Sequence, residues 1–462
     1  MDESSANSYR STFNMSWISS RPSGLLTVVV FAGMLAIAWL MATPYGWDND
    51  EAGHYWTARD IYEAGGLPDG AAFPEIILPN APFNEAGLYR YHALPPTYYL
   101  TTAYLFNLNP TRIGDYTPGL LSGRLLSGLS FVTAIVFIYW LAHDLCAGKQ
   151  STAVLIATSC AMVPKMTSLG ASFTADSFAL VASAVVAWTT IQATSRAWSW
   201  RSTILVGAAI ALVLMSRPSA LPILFLPAFM FTLSIKSGIG QWLRKIPALL
   251  SLSLLPNSWW MIRNWLNLKG DWLGATTHLS YLNLQGLPYG TKEVGLFKAT
   301  EAGFSSIHDM LLNSDWVLRF NTRLWLTERY NNGNSLGVLL ATILVLVVAA
   351  SVLITIRGIK DDRSGFLSPQ MRFIPIALLT CFCIAASLSA FNSYTHGIFV
   401  IGRFAVPSLI LLIAATTAIV SQASNLIGRL AAPTLTCIMV VVHLAYWGGF
   451  LLPDLLLQTN YG

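Results

Sequence analysis

LLTVVVFAGMLAIAWLMATPYGWDNDE, residues 25–51, sets a long apolar run directly against a cluster of acids. A membrane-spanning helix needs ~20 predominantly apolar residues, and interfacial neighbours can complete a slightly shorter run. Residues 25–42 therefore read as a retained first span, with no small-residue cleavage site of signal-peptide type before it. Behind it come Asp48, Asp50, Glu51 and His54. In a chain that is mostly membrane, such a group is either a solvated loop or working machinery.

Working outward, composition settles the class. Charged residues make up 11% of the chain and hydrophobic ones 54%, against ~25% charged in an ordinary soluble domain. With a mean hydropathy of +0.55, the chain is an integral membrane protein. The net charge of +5 comes from scattered cations, with no basic stripe of the kind nucleic acid needs. Cysteines 146, 160, 381, 383 and 437 lie in or beside apolar runs and read as core packing, with no disulfide framework. Cys381 and Cys383 would sit on different sides of one helix.

Apolar runs place spans near 25–42, 119–145, 151–167, 172–193, 203–216, 219–235, 246–264, 336–356, 372–390, 401–420 and 430–451. The expected fold is an all-α polytopic bundle of about eleven spans. Arg217-Pro218 interrupts the pair at 203–235, which fits two short helices or one re-entrant hairpin. With a cytoplasmic N-terminus, the short inner connections hold 13 cations and 5 acids, leaving 14 cations and 17 acids outside. The expected layout is a cytoplasmic tail, 1–24, and a single transmembrane domain, 25–462. Its loops 43–118 and 265–335 are extracytoplasmic. Within the first, residues 50–64 read as a helix along the membrane surface, capped by Asp48 or Asn49 and stopped by Gly65-Gly66. A second short helix follows Pro95-Pro96, and 316–330 suggests further interfacial helices.

On a helix starting at Asp50, His54 lies one turn on and shares a face with Asp50 and Glu51. A partly desolvated carboxylate there suits a general base for an acceptor hydroxyl; the plainer reading is that these acids only favour a helix N-terminus. Asp176 stands at the outer start of a span, and Arg124, Lys165, Arg217, Arg263 and Arg403 lie at or near the same boundary. Charges so placed either face a cavity or snorkel to the interface. Several arginines converging on one cavity would suit a lipid phosphate. Asp48-x-Asp50 has a spacing seen in divalent-cation sites, but nothing completes an octahedral set, and a metal-free site is the stronger reading. The chain has no P-loop, dinucleotide fingerprint or serine nucleophile elbow. Without a nucleotide site, the energy must arrive with an already activated, lipid-linked substrate.

The motifs also fall in a distinctive order. Asp50-Glu51-Ala52-Gly53-His54-Tyr55 follows the first span, and a helix ends at Gly66-Leu67-Pro68. His92 precedes Pro95-Pro96-Thr97-Tyr98-Tyr99, here with Ala93-Leu94 inserted before the prolines. Arg124 with Leu125-Leu126-Ser127, Thr174-Ala175-Asp176, Arg263-Asn264 before Gly270-Asp271, and Gly402-Arg403-Phe404 with Pro407 follow. This order resembles the GT-C superfamily of polyprenyl-phosphate-sugar-dependent membrane glycosyltransferases. It is nearest to a large bacterial family of predicted membrane glycosyltransferases. The likeness to protein mannosyltransferases and the lipid A aminoarabinose transferase is more distant.

The resemblance implies a hexosyl- or pentosyltransferase of the plasma (inner) membrane with an extracytoplasmic active site. It implies a polyprenyl-phosphate-linked sugar donor, a glycan, lipid or protein acceptor, and no cofactor. Asp50 becomes the catalytic base, with Glu51 and Asp176 as further catalytic acids. His54, His92, Arg124, Arg217, Arg263 and Arg403 become substrate-binding. Two rivals remain: a flippase of lipid-linked glycans, which would carry charge through the depth of its helices, and a glycan polymerase or ligase, which only product analysis separates from simple transfer.

Overall fold

The computed structural model describes residues 22–43, 51–67, 93–106, 118–234, 239–274, 304–326, 370–396, 402–422 and 426–451, with scattered positions between 338 and 353. Among these residues the fold is all helical. In chain order the helices are α1 (Pro22–Ala42), α2 (Glu51–Ala64), α3 (Thr97–Phe106), α4 (Pro118–Leu145), α5 (Gln150–Ala161), α6 (Pro164–Ala171), α7 (Asp176–Ser195) and α8 (Trp200–Ser216). A 3-10 turn, Pro218–Leu224, leads into α9 (Phe225–Leu233). Then come α10 (Ile239–Leu254), α11 (Ser258–Asn267), α12 (Ile307–Asn313), α13 (Trp316–Trp325), α14 (Ile374–His396), α15 (Val406–Val420) and α16 (Leu426–Tyr446).

Six helical stretches among the described residues are long and apolar enough to cross a membrane: 22–42, 119–145, 176–195, 371–395, 402–420 and 428–449. The α5–α6 pair makes a seventh if its two halves, bent by 69°, are one span. The chain is a multi-pass membrane protein, and among the described residues six or seven of the eleven expected spans meet this test. The difference lies in breaks that an apolar run conceals. The run 151–167 stops at Met162-Val163 and restarts at Pro164, because proline is accepted at the first position of a helix but not inside one. The run 246–264 is cut by the 3-10 turn Leu255–Asn257, which contains Pro256. Arg217-Pro218 resolves as the end of α8 followed by a 3-10 turn, giving two short apolar helices. The run 336–356 falls largely outside the described residues.

Helix α4 is the hub, packing against α1, α5, α6, α7 and α15, while α7 also packs on α8 and α8 on α10. Close packing of α4 relies on small residues. A Cβ on Gly123 would lie 1.9 Å from the Phe173 ring, and one on Gly170 would lie 2.7 Å from Phe131 Cβ. Among the cysteines, 146, 160 and 381 are buried, whereas Cys383 and Cys437 are exposed on the outer face of their helices. Packing into the protein core therefore accounts for three of the five.

The α5–α6 bend frees a carbonyl. Met166 N–H bonds to Val163 rather than to Met162 one turn earlier. Met162 C=O instead accepts from His443 Nδ1 on α16 at 2.8 Å, and His443 Nε2 accepts from Trp39 Nε1 on α1 at 3.2 Å. Three helices are thus pinned at one broken turn.

The end of the bundle that matters is formed where α1 ends, α4 begins, α7 begins, α8 ends and α15 begins. Across it lie α2 and α3, joined by a small core of Ala58, Ile61, Leu94, Tyr98, Tyr99, Leu120 and Phe173. The Phe173 ring meets Tyr55 and Tyr98 edge-on. It is fully buried and cannot swing aside for a methyl group at position 123. Gly123→Ala should therefore lower unfolding free energy by ~1–3 kcal/mol, as overpacking does, measured by thermal or denaturant unfolding in detergent. Gly33→Ala, where a Cβ meets nothing within 4 Å, should stay near the native value.

Candidate functional site

The site is built from three backbone breaks and one tethered helix. Helix α2 stops at Ala64 because Gly65 takes φ +67° and Gly66 N–H returns to Ile61 C=O, a glycine stop. Its other end is held by a buried charge pair. Arg124, in the first turns of α4, grips Glu51 with two bonds, Nε to Oε1 at 2.7 Å and Nη2 to Oε2 at 2.8 Å. Arg124 Nη1 also donates to Thr43 C=O, just past α1, at 2.6 Å. Glu51 Oε1 accepts a further bond from Phe173 N–H at 2.9 Å. Both side chains are fully buried. One carboxylate thereby joins the end of α1, the start of α2, the start of α4 and the segment leading into α7.

One turn along α2, His54 points to the same segment. Its Nδ1 lies 2.7 Å from Tyr99 Oη on α3, and its Nε2 lies 3.2 Å from both Thr174 Oγ1 and Arg217 Nη1. Arginine offers no acceptor, so Nε2 carries the lone pair and Nδ1–H donates to the tyrosine.

Arg217 ends α8 in an extended conformation, where Pro218 denies its neighbour a helical continuation. Its Nη1 also meets Asp176 Oδ2 at 2.9 Å. Arg403, in the turn before α15, places Nε 3.3 Å from the same oxygen. Ser219 donates to Asp176 Oδ1, and Asp176 N–H bonds to Thr174 Oγ1, each at 3.3 Å. Both guanidinium carbons stand 5.9 Å from the Phe404 ring. Asp176, Arg217 and Arg403 are each 5% exposed or less.

Tyr98 closes the back of the cluster, its hydroxyl 2.8 Å from Ser127 Oγ and donating to Gly123 C=O at 3.2 Å. Burial pushes this phenol well above its ordinary range, so it works as a neutral hydroxyl.

The structure thus brings together Glu51, His54, Arg124, Asp176, Arg217 and Arg403 from positions far apart in the chain. Arg263 donates to its neighbour Asn264 Oδ1 at 3.0 Å. Asn264 in turn donates to Ala93 C=O at 2.9 Å. A Cβ on Gly274, which takes φ +65°, would fall 1.8 Å from that same oxygen. The two long loops are therefore clasped at Ala93. Asp48, Asp50 and His92 lie outside the described residues. Lys165 is fully buried on the first turn of α6.

Four polar contributors were not singled out from the sequence as site residues: Tyr99, Thr174, Ser127 and Ser219. Thr174 and Ser219 each stand two residues from a charged partner, Asp176 and Arg217, and that spacing is the signal that marks them.

With this geometry in view, comparison with known proteins is informative. A family model described as dolichyl-phosphate-mannose-protein mannosyltransferase matches residues 112–260, from before α4 into α11. A search of curated proteins returned no match. Among solved structures, the chain is similar to the archaeal oligosaccharyltransferase AglB from Archaeoglobus fulgidus in complex with an inhibitory peptide and a dolichol-phosphate. The identity is 15%, the TM-score is 0.51, and the match covers 90% of this chain and 55% of that one. A second A. fulgidus oligosaccharyltransferase structure, in complex with Zn and sulfate, gives 14% identity and a TM-score of 0.51 over 90% and 52%. ArnT from Cupriavidus metallidurans bound to undecaprenyl phosphate gives 12% identity and a TM-score of 0.46 over 91% and 75%.

At these identities the likeness is one of fold, and the chain spans about half the length of the two oligosaccharyltransferases. The family match and the fold agree with the order of motifs. The chain resembles the GT-C superfamily of polyprenyl-phosphate-dependent glycosyltransferases, and its membrane fold is of that type.

Removing one partner of a buried pair strands the other charge, at a cost of ~3–5 kcal/mol. Arg124→Ala and Glu51→Ala should each lose about that much in denaturant unfolding. The double variant should lose far less than the two added together, which a double-mutant cycle measures.

Proposed function

We propose that the chain is an inverting glycosyltransferase that moves a sugar from a polyprenyl-phosphate donor to an acceptor hydroxyl on the extracytoplasmic side of the plasma membrane. The observation that carries the reading is the convergence of two buried arginines from separate elements on one carboxylate. Arg217 and Arg403 both face Asp176, whereas Arg124 pairs with Glu51. Two guanidinium groups gathered at one end of an apolar bundle suit an anion. A lipid phosphate is such an anion, with arginine offering paired bonds to its oxygens. The family match on 112–260, which includes Arg124, Asp176 and Arg217, supports the same class.

In this reading Glu51 is the tether. It already accepts three hydrogen bonds and is poorly placed to take a proton from substrate. The preceding carboxylate, Asp50, is the base. It removes the proton from the acceptor hydroxyl as that oxygen bonds to the anomeric carbon from the face opposite the phosphate. The bond from the anomeric carbon to the phosphate oxygen breaks, its electron pair leaves with polyprenyl phosphate, and the configuration inverts. Arg217 and Arg403 stabilise the leaving phosphate, the kind of electrostatic contribution that dominates many enzymes. Asp176 holds both arginines in register, and His54 meets Arg217 at the same Nη1. Arg263 and His92 are further substrate-binding residues in this reading. Hexose or pentose, and glycan, lipid or protein acceptor, all remain compatible with this chemistry.

Asp50→Asn should lower transfer by ~10²–10⁴-fold, the usual contribution of a general base, while leaving folding and lipid binding intact. The measurement is mass analysis of cell-envelope glycans and of accumulated lipid-linked sugar in a deletion strain carrying either the native chain or the variant. Full glycan levels with Asp50→Asn would overturn the assignment. Loss of flipping, with the sugar still attached to its lipid, would instead identify a transporter. Arg403→Ala should reduce transfer by ~10²–10³-fold in the same assay, as expected for loss of a charge that meets the leaving group.

A further inference from the structure

The turn that carries Arg403 has a second neighbour. Helix α13, from the second long loop, lies across Gly402–Ala405. A Cβ on Gly402 would fall 2.7 Å from Phe320 C=O, 2.8 Å from Leu324 N and 3.0 Å from the Arg323 carbonyl carbon. All three are backbone atoms of one helical turn, so no side-chain rotation could relieve the contact. Gly402 does not take a left-handed φ, and its conformation is open to any residue. What position 402 requires is the missing Cβ, which lets one backbone rest on another.

Helix α13 is seated firmly for this. Trp316, Phe320, Leu324 and Trp325 are buried, and the Trp316 and Phe320 rings stack at 4.9 Å. The opposite face, with Val317 and Leu318, is exposed. The residue after Gly402 is the arginine whose Nε faces Asp176, and the next is Phe404, whose ring stands 5.9 Å from both guanidinium carbons.

We infer that α13 sets the position of Arg403 through Gly402, so that the second long loop is part of the donor-phosphate site. Gly402 and Phe320 are positioning residues, and acceptor engaging that loop would be felt at the phosphate. The inference rests on the reading of Arg403 as a phosphate ligand given above.

The test uses the purified full chain in detergent, titrated with polyprenyl phosphate and, separately, with the polyprenol that lacks the phosphate, following tryptophan fluorescence. Gly402→Ala and Phe320→Ala should each weaken polyprenyl phosphate binding by ~10–100-fold, the scale of a misplaced group, and leave polyprenol binding unchanged. In an Arg403→Ala background neither should cause a further loss, because the residue they act through is gone. Phe320→Ala introduces no clash, so it decides the question if Gly402→Ala fails to fold. Gly33→Ala should bind both lipids as the native chain does. Native-like binding by both variants, equal weakening towards both lipids, or a loss that multiplies with Arg403→Ala would overturn the role of α13. If the native chain does not distinguish the phosphate from the alcohol, the phosphate-site reading itself fails and the inference falls with it.

Discussion

Everything at the working end of the molecule depends on the buried pair of Glu51 and Arg124. Two opposite charges in an apolar surrounding are tolerated only when their remaining bonding positions are filled. Here the filling groups come from the ends of other elements: Thr43 C=O after α1 and Phe173 N–H before α7. The pair fixes where the chain leaves one apolar helix and enters the next. It also fixes the first residue of α2, and with it the direction in which His54 points. Remove the pair, and the start of α2 loses its attachment to α4 and α7 together.

A second tier of interactions is built upon it. Asp176 answers to two arginines, and His54 touches one of them. The two tiers divide the charged groups between a pair that ties helix ends together and a cluster that gathers two arginines at one carboxylate. The same logic explains why the groups gather at helix ends. Backbone breaks at Arg217-Pro218 and at Gly402–Ala405 bring side chains inward without asking a continuous helix to carry charge through the bilayer.

Much of this was legible in the sequence, and what was not has a physical reason. Long apolar runs announce spans because the bilayer imposes a length, and α1, α4, α7, α14, α15 and α16 lie where runs were read. The breaks at Met162-Val163-Pro164 and Leu255-Pro256 were passed over because hydropathy continues across them. The arginines and Asp176 stood out because charge at a membrane boundary is expensive. Their pairings did not, since nothing local tells Glu51 to pair with a residue 73 positions on rather than with solvent. The use of Gly402 is likewise invisible in one dimension. A glycine chosen for a neighbour's backbone looks no different from one chosen for a turn.

The bend between α5 and α6 has a consequence for how such a chain can vary. The bend at Pro164 turns Met166 N–H to Val163 and leaves Met162 without its helical donor. His443 supplies that donor from α16 while taking one from Trp39 on α1. The kink is therefore not a property of the segment that bends. Proline, histidine and tryptophan from three separate helices form a single structural unit. Straightening the helix would leave the histidine without its acceptor, and losing the histidine would leave the Met162 carbonyl without its donor.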